Sequence, residues 1–375
     1  MSKKISRIIK IGSLIACTGF ILALAACSGL AGTSGTPAPG ASGQPKQLTV
    51  MTHDSFAVSE PVIQAFEQAN NVKVTFLPSG DAGTALSKAI LAKNNPIADV
   101  FYGVDNTFLS RALTENIFEP YNSPVLADIP DQFKLDPQND ALPVDYGDVC
   151  LNYDKAYFAE KNLAPPQNLE DLTKLEYKGL TVVENPATSS PGLAFLMATI
   201  GHFGTDQYLN YWKELRANDV LVVNDWNTAY YTEFTRAGGT HPIVVSYSSS
   251  PVFELISAET TGSGTATPTV QISEPPTAAV VSDGSCFRQI EFVGILQGTK
   301  NRTLAEKWVD FMLSPAFQED MPLQMYVFPV NRNAKLSDVF TKYLVNPQNP
   351  IILDPQEIAA NREAWINAWT ETVLR

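Results

Sequence analysis

Between Leu48 and Asp105 the chain alternates short apolar runs with amphipathic stretches, and that order constrains the fold more than anything else in the sequence. QLTVMTHDSF opens on an apolar run, Leu48 to Met51, that breaks into a polar loop. EPVIQAFEQAN places Val62, Ile63, Ala65, Phe66 and Ala69 at helical spacing, NVKVTFLPSG alternates with a period of two, GTALSKAILAKN is again helical, and ADVFYGVD is a buried-strand run. Parallel neighbours in a sheet need a crossover, and here each crossover is a helix. Strand, helix, strand, helix, strand therefore predicts a mainly parallel sheet with helices on its faces.

A second α/β run begins near GDVCLNYD. Strands are predicted in LTVVENP, VLVVND and PIVVSYSSS, and helices over LAFLMATIGHF, QYLNYWKEL and TAYYTEFTRAG. TTGSGTATPTVQISEPPT is polar and Pro-rich and reads as a surface loop, after which CFRQIEFVGILQGT is a strong strand that returns the chain to the first lobe. No period of 20 to 50 residues repeats, which excludes a solenoid. The expectation is an α/β fold of two lobes, each a mixed sheet flanked by helices, with crossing strands between them. Residues 47–147 form the first part of lobe 1, 148–287 form lobe 2, and 288–375 supply the return segment and C-terminal helices. Ligands of such sheets collect at strand carboxyl ends, where PATSSPG, DWNTAYY and SYSSSP fall.

The N-terminus bears on location. MSKKISRIIK carries Lys3, Lys4, Arg7 and Lys10, and IGSLIACTGFILALAA is apolar but too short and wrongly flanked for an ordinary membrane span. It ends in LAAC, which resembles a bacterial lipobox in which the Cys27 thiol receives lipid. Residues 1–26 are then a lipoprotein signal peptide. Residues 27–46, rich in Gly, Ser, Thr, Pro and Ala, cannot bury enough surface to offset chain entropy and form a flexible tether. The folded part is expected to be extracytoplasmic, anchored to the cell membrane and not spanning it.

Loss of the leader takes four cations and no anion with it, so the formal charge of −13 becomes −17. An acidic body argues against nucleic acid or anionic lipid as partners and favours cationic ligands. Of four cysteines, Cys17 leaves with the leader and Cys27 is committed to lipid. Cys150 and Cys286 remain, in an oxidising compartment, on the two segments where the chain passes between lobes; a disulfide between them is expected. No CxxC occurs and His53, His202 and His241 lie far apart, so no metal site is expected.

Enzyme signatures are missing: no GxSxG, no Walker GxxxxGK[ST], no HExxH and no GxGxxG. His53, Asp54 and Ser55 are contiguous, but neighbours in an extended loop point apart, which is poor ground for a triad. The strand ends offer recognition instead. Trp226, Tyr230, Tyr231, Tyr247, Phe253 and Tyr326 are flat surfaces, with core packing the competing role for each and the stronger one for Tyr231 and Phe253. Ser189, Ser190, Ser248, Ser249 and Ser250 can hydrogen-bond without imposing charge, while Asp54, Asp81 and Asp105 add negative charge. Aromatic faces with carboxylates suit a flat cation, each cation–π contact being worth roughly 0.5–2 kcal/mol. TSSPG and SGDAGT precede helices, whose N–H groups could hold an anion; capping by Asp81 or Ser190 is the equal alternative.

These stretches resemble the periplasmic thiamine-binding proteins of ABC transporters from about residue 48 to the C-terminus. THDSFA, ADVFYGVDN, VDYGDVCLNYDK, ENPATSSPGLAFL, VNDWNTAYY, VVSYSSSPVFEL, FMLSPAFQEDMP, MYVFPVN and PQEIAANREAWINAWTETVLR carry the likeness. FMLSPAFQ is common across type II substrate-binding proteins and reads as a Ser314 N-cap with Pro315 at N1. The resemblance implies a two-lobed type II periplasmic-binding-protein fold. Trp226 and Tyr247 would flank the thiamine rings, and Ser248, Ser249 and Ser250 would line the same pocket. Asp81 with Ala82, and Ser189 with Ser190, would hold the hydroxyethyl or phosphate end. His53 stands where the family often has tyrosine, Tyr326 where it often has tryptophan, and Ala82 where glycine is common. A tryptophan-bearing insertion is missing after THDSFA.

The implied protein is a monomer that needs no cofactor, binds thiamine or its phosphates, and delivers the ligand to an ABC transporter permease and its ATPase. Rival readings are a ferric-ion receptor of the same fold, for which Tyr230–Tyr231 would supply adjacent phenolates, a polyamine receptor, and an anchored hydrolase.

Overall fold

The computed structural model describes residues 46–261 and 274–375, backbone only at 256–261. The leader 1–26, Cys27, the tether up to residue 45 and most of the Pro-rich loop lie outside the described residues. The apolar runs become strands: β1 Lys46–Thr52, β2 Val72–Pro78, β3 Val100–Asp105, β4 Phe118–Glu119, β5 Leu142–Asp154, β6 Thr181–Glu184, β7 Leu221–Val223, β8 Ile243–Tyr247, β9 Thr277–Val280, β10 Phe287–Leu296 and β11 Phe328–Pro329. Runs without a polar alternate, such as VFYGVD and IVVSY, are buried at every position, as strands covered on both faces must be.

The eleven strands among the described residues join one mixed sheet in the order β2-β1-β3-β10-β5-β8-β6-β7, with β4 on β10 and β9 and β11 on β5. Its two halves are parallel: β1 with β2 and β3 on one side, β6 with β7 and β8 on the other. They meet through the antiparallel strands β10 and β5, which pair with each other and, at their outer edges, with β3 and β8. Two α/β halves joined by two crossing strands make the two-lobed arrangement of a type II binding protein.

Local chemistry explains the main helices. Asp81 caps Ala82–Leu91, Ser189 caps Ser190–Phe203 with Pro191 in its first turn, and Asp354 caps Pro355–Val373. That C-terminal helix packs Trp369 edge-on against Trp212 of the second half at 5.4 Å, and lays Arg362 over the Phe108 ring of the first. It therefore spans both halves. Ser314 stands at the start of Pro315–Gln318 with Pro315 at N1 as expected, but its hydroxyl donates backward to the Phe311 carbonyl and caps nothing. TAYYTEFTRAG departs from the predicted helix: one turn, Trp226–Thr228, runs into a π turn, Ala229–Glu233, and a 3-10 turn, Thr235–Ala237. The wider π turn displaces the tyrosine pair from regular helical positions. Among the described residues no helix is long and apolar enough to cross a membrane.

Cys150 of β5 is bonded to Cys286 just before β10, with Cα atoms 4.5 Å apart across 136 residues of sequence. The chain-entropy account of so large a loop gives roughly 5 kcal/mol of stabilisation. Reduction, or a Cys150→Ala/Cys286→Ala double variant, is expected to lower Tm by roughly 5–10 °C. An unchanged Tm by differential scanning calorimetry would contradict a stabilising role.

Candidate functional site

The carboxyl ends of the parallel strands converge on one cleft. β1 delivers His53 and Ser55, β2 delivers Asp81 and Ala82, β6 delivers Ser190 and Pro191, β7 delivers Trp226, and β8 ends on Tyr247. β10 contributes Glu291 from the crossing pair, and the return segment adds Met325 and Tyr326. The space between these walls is ≈ 400 Å³ including its mouth. The Trp226, Tyr247 and Tyr326 rings on its lining make it a slot suited to a flat group.

Asp81 organises one end. Its Oδ1 accepts from Ala82 N at 2.7 Å and Ser190 N at 3.4 Å, and its Oδ2 from Trp226 N at 3.0 Å. Three helix starts, two of them from the opposite half, thus share one carboxylate. Burial raises the Asp81 pKa, while these N–H donors pull it back. Of the two roles open to TSSPG and SGDAGT, an anion site or a helix cap, the structure shows caps, supplied by Asp81 and Ser189, with the Asp81 carboxylate at the Ser190 N–H. Further bonds cross the cleft beside it: Gly83 N and Thr84 N donate to the Thr188 carbonyl at 3.0 and 3.3 Å, and the Ser190 hydroxyl donates to the Asp105 carboxylate. Gly83 is required there, because a Cβ would lie 2.9 Å from the carbonyl oxygens of Ala187 and Thr188.

Aromatic rings close the other end. Trp226, only 5% exposed, stacks on Tyr230 at 4.9 Å with 17° between the planes, and its Nε1 donates to Ser246 Oγ at 3.1 Å. Tyr326 stands edge-on to it at 5.5 Å and Tyr247 lies tilted at 6.5 Å. Tyr326 is held at φ 61, a backbone region that a bulky residue rarely visits. Phe253 packs on the Tyr326 ring at 4.0 Å, a supporting role. Tyr231 is no core residue: it is 50% exposed, and its hydroxyl meets that of Tyr326 at 2.6 Å, spanning the cleft mouth.

The serine triplet is set one layer behind the wall it was expected to line. Ser250 Oγ bonds Ser246 Oγ at 2.8 Å and accepts from Tyr247 N at 3.1 Å, and Ser249 Oγ donates to the Tyr326 carbonyl. Ser248 donates its N–H to the Asp148 carbonyl at 2.8 Å. The chain turns into a helix directly after Tyr247, so the Ser250 and Ser249 hydroxyls fix Tyr247 and Tyr326 in place, while the buried Ser248 Oγ has no partner among the described residues. Ser189 likewise serves its helix cap, and Asp54, at the surface, accepts from Gly80 N at 2.7 Å.

The cleft floor is acidic. Asp145 of β5 and Glu291 of β10 are direct cross-strand partners, both buried. Tyr102 donates to Asp145 Oδ2 at 2.7 Å and lies 3.2 Å from Glu291 Oε2. Burial is the main reason that Asp145 is pushed up to about 7 and that Glu291 stands well above the ordinary glutamate value, the latter helped by the charge of Asp145. Asp105 is raised to about 6, again chiefly by burial. Among the described residues, no lysine or arginine lines the slot.

His53 and Ser55, doubted as partners from sequence, do touch: Ser55 Oγ lies 2.9 Å from His53 Nδ1. Burial pushes the imidazole down to about 4, which makes it a weak base at neutral pH. Gly103, at φ +110, leaves the space the ring occupies, since a Cβ there would stand 2.5 Å from His53 Cδ2. Of the adjacent tyrosines, Tyr230 donates to Glu254 Oε1 at 2.9 Å beneath the Trp226 ring, while Tyr231 points to Tyr326. Their hydroxyls are engaged in different directions and do not form a phenolate pair.

Sequence reasoning missed Ser55, Pro191, Met325 and above all Glu291 among the lining residues. The available signal was one acid inside the otherwise apolar half of CFRQIEFVGIL.

Such a cleft, built from hydrogen-bonding and stacking groups between two α/β halves, defines a solute receptor. Residues 95–346 match the family model described as bacterial extracellular solute-binding protein, and the chain belongs to that family. It is 31% identical over 335 residues, 88% of this chain and 94% of the relative, to the thiamine-binding periplasmic protein of Escherichia coli strain K12. Among solved structures, a periplasmic thiamin binding protein superposes with TM-score 0.74 at 28% identity, covering 90% of this chain and 99% of that one. A ferric binding protein from Campylobacter jejuni has TM-score 0.66 at 20% identity over 87% and 99% of the two chains, a likeness of fold.

The raised carboxyls predict a pH signature. A carboxyl whose folded pKa exceeds its unfolded value stabilises fully below the unfolded value and loses that contribution as pH rises through the folded one. For Asp145 the window runs from 3.8 to about 7. Asp145→Asn is therefore expected to gain stability relative to the wild type as pH rises. The Tm difference, variant minus wild type, should be several degrees larger at pH 8 than at pH 4, and an equal difference at both would contradict the buried-proton account.

Proposed function

We propose that this protein is the extracytoplasmic receptor of an ABC importer for thiamine, with the phosphates of thiamine as further candidate ligands. One observation carries the reading: a flat slot walled by Trp226, Tyr247 and Tyr326 over an acidic floor, with no cation on its lining. Thiamine is a linked pair of flat rings, one permanently cationic. Aromatic faces and desolvated carboxylates complement that charge. The similar proteins from Escherichia coli and among the solved structures are named for binding thiamine. The hydroxyethyl end would lie by Asp81, Ala82 and Ser190, where Asp81 can accept its hydroxyl proton. Asp81, Ser190 and the Gly83–Thr188 contact join the halves, so closure about β5 and β10 is the motion that would trap the ligand. The lobe boundaries then fall at residues 147–148 and 287–288, on or beside these strands.

The protein acts in this reading by binding, as a monomer, without cofactor or catalysis. The Ser55–His53 contact does not favour a hydrolase, because a histidine held near 4 is poorly matched to general-base work at neutral pH. A ferric receptor fits less well, since both adjacent phenols are committed elsewhere. Polyamines share the charge logic but would not use the flat walls.

Isothermal titration of residues 47–375 is expected to show thiamine binding with quenching of tryptophan fluorescence. Trp226→Ala should weaken it by at least ~10-fold, about 1.4 kcal/mol. Unchanged affinity removes the stacking role, and heat with spermidine or ferric ion in place of thiamine removes the ligand assignment.

Anchoring through Cys27 belongs to the same proposal, since LAAC follows a basic, apolar leader. Mass spectrometry of the mature protein should find lipid on Cys27 and no residue before it. An intact Met1 or an unmodified Cys27 would defeat the assignment.

A further inference from the structure

Among the described residues, Glu291 is the one lining carboxylate not engaged in capping a helix. It projects from β10 at a break in register, where the β5 pairing shifts between Glu291 and Phe292, and it is 3% exposed. Tyr102 holds its Oε2 from below. Its Oε1 lies 3.5 Å from His53 Nε2, too long for a good hydrogen bond. That Nε2 is itself buried and without a partner, on a residue 6% exposed that lines the same slot. A carboxylate edge and an unsatisfied imidazole nitrogen thus face one space, and leaving such groups unpaired is costly. A ligand N–H could be shared by both groups, and a positive charge would answer Glu291.

We propose that Glu291 is the residue that selects the charge of the ligand, pairing with a cationic or N–H-bearing ring in the slot, while Tyr102 and Asp145 position it. This rests on the thiamine reading and adds to it which side chain answers the ring's charge. Aromatic walls alone accept a neutral ring almost as readily. A buried carboxyl discriminates: beside a neutral ring it keeps its proton and gains no ion pair, whereas beside a cationic ring it gives up that proton and gains one.

The groups facing Glu291 are His53 after β1, Tyr102 and Asp105 on β3, Asp145 on β5 and Tyr247 at the end of β8. None is a lysine or arginine, and burial together with Asp145 and Asp105 keeps a proton on the Glu291–Asp145 pair in the unliganded protein. An arriving cation should expel that proton to the buffer, so binding tightens as pH rises.

The test is calorimetric titration of the full folded part with thiamine, at pH 6 in phosphate and in Bis-Tris and at pH 8 in phosphate and in Tris, whose different ionisation heats report protons released. The wild type should release protons at pH 6 and bind more tightly at pH 8. Glu291→Gln should lose at least 10-fold in affinity and most of the proton release. Glu291→Asp should retain the release. A Glu291→Gln protein that binds within twofold of the wild type, or releases as many protons, overturns the assignment. If Glu291→Gln does not fold, the wild type alone decides: no proton release at either pH overturns it. Absence of any thiamine binding by the wild type overturns the ligand reading and this assignment with it, whereas normal wild-type binding with an unaffected variant overturns only the assignment.

Discussion

The antiparallel pairing of β5 with β10 holds the molecule together, because it is the seam through which two parallel half-sheets become one. Each half ends its strands toward the seam, so both sets of carboxyl-end loops open into a single cleft. The pairing also sets Asp145 directly opposite Glu291, at the place where the register breaks. Like charges opposite each other in a sheet repel. In the dry interior they cannot both ionise, and a shared proton with the Tyr102 hydroxyl resolves the conflict. The cleft floor therefore carries carboxyls that burial keeps above their ordinary pKa values. Cys150–Cys286 fastens the same two segments covalently at the second-half end of the seam.

The cleft is closed by the protein's own hydrogen bonds. Asp81, from the first half, gathers the helix starts at Ser190 and Trp226 from the second; Gly83 and Thr84 reach the Thr188 carbonyl; Tyr326 meets Tyr231 at the mouth. Each bond is worth about 1 kcal/mol net, more where a carboxylate accepts. A receptor whose halves already complement each other needs little binding energy to complete closure, and a ligand shifts that balance only by what it gains in the closed form. The unusual backbone of Tyr326 and the π turn under Tyr230 and Tyr231 lie at this same edge, where strain is tolerated because neighbouring rings over-determine the geometry.

Much of this was legible in the chain. The strand and helix order from Leu48 to Asp105, the return strand through Phe287–Leu296, the Cys150–Cys286 bond and the convergence of His53, Asp81, Ala82, Ser190, Trp226, Tyr247 and Tyr326 all follow from periodicity, spacing and family likeness. Such features are local, or repeat a pattern that local chemistry imposes: a buried strand must be apolar, and a helix start must be capped.

What the tertiary structure alone decided is which groups meet. Nothing near Ser249 and Ser250 in sequence says that the Tyr326 carbonyl and the turn after Tyr247 consume their hydroxyls. Nothing near TSSPG says that a carboxylate 109 residues away takes the Ser190 N–H. Glu291 looks like an isolated acid in an apolar strand until the seam brings it against Asp145, His53 and a tyrosine 189 residues distant. The reason is physical. Secondary structure responds to neighbours within a few residues along the chain, whereas the protonation and partners of a buried charge depend on every group within a few ångströms of it, and only the packed fold brings those groups together.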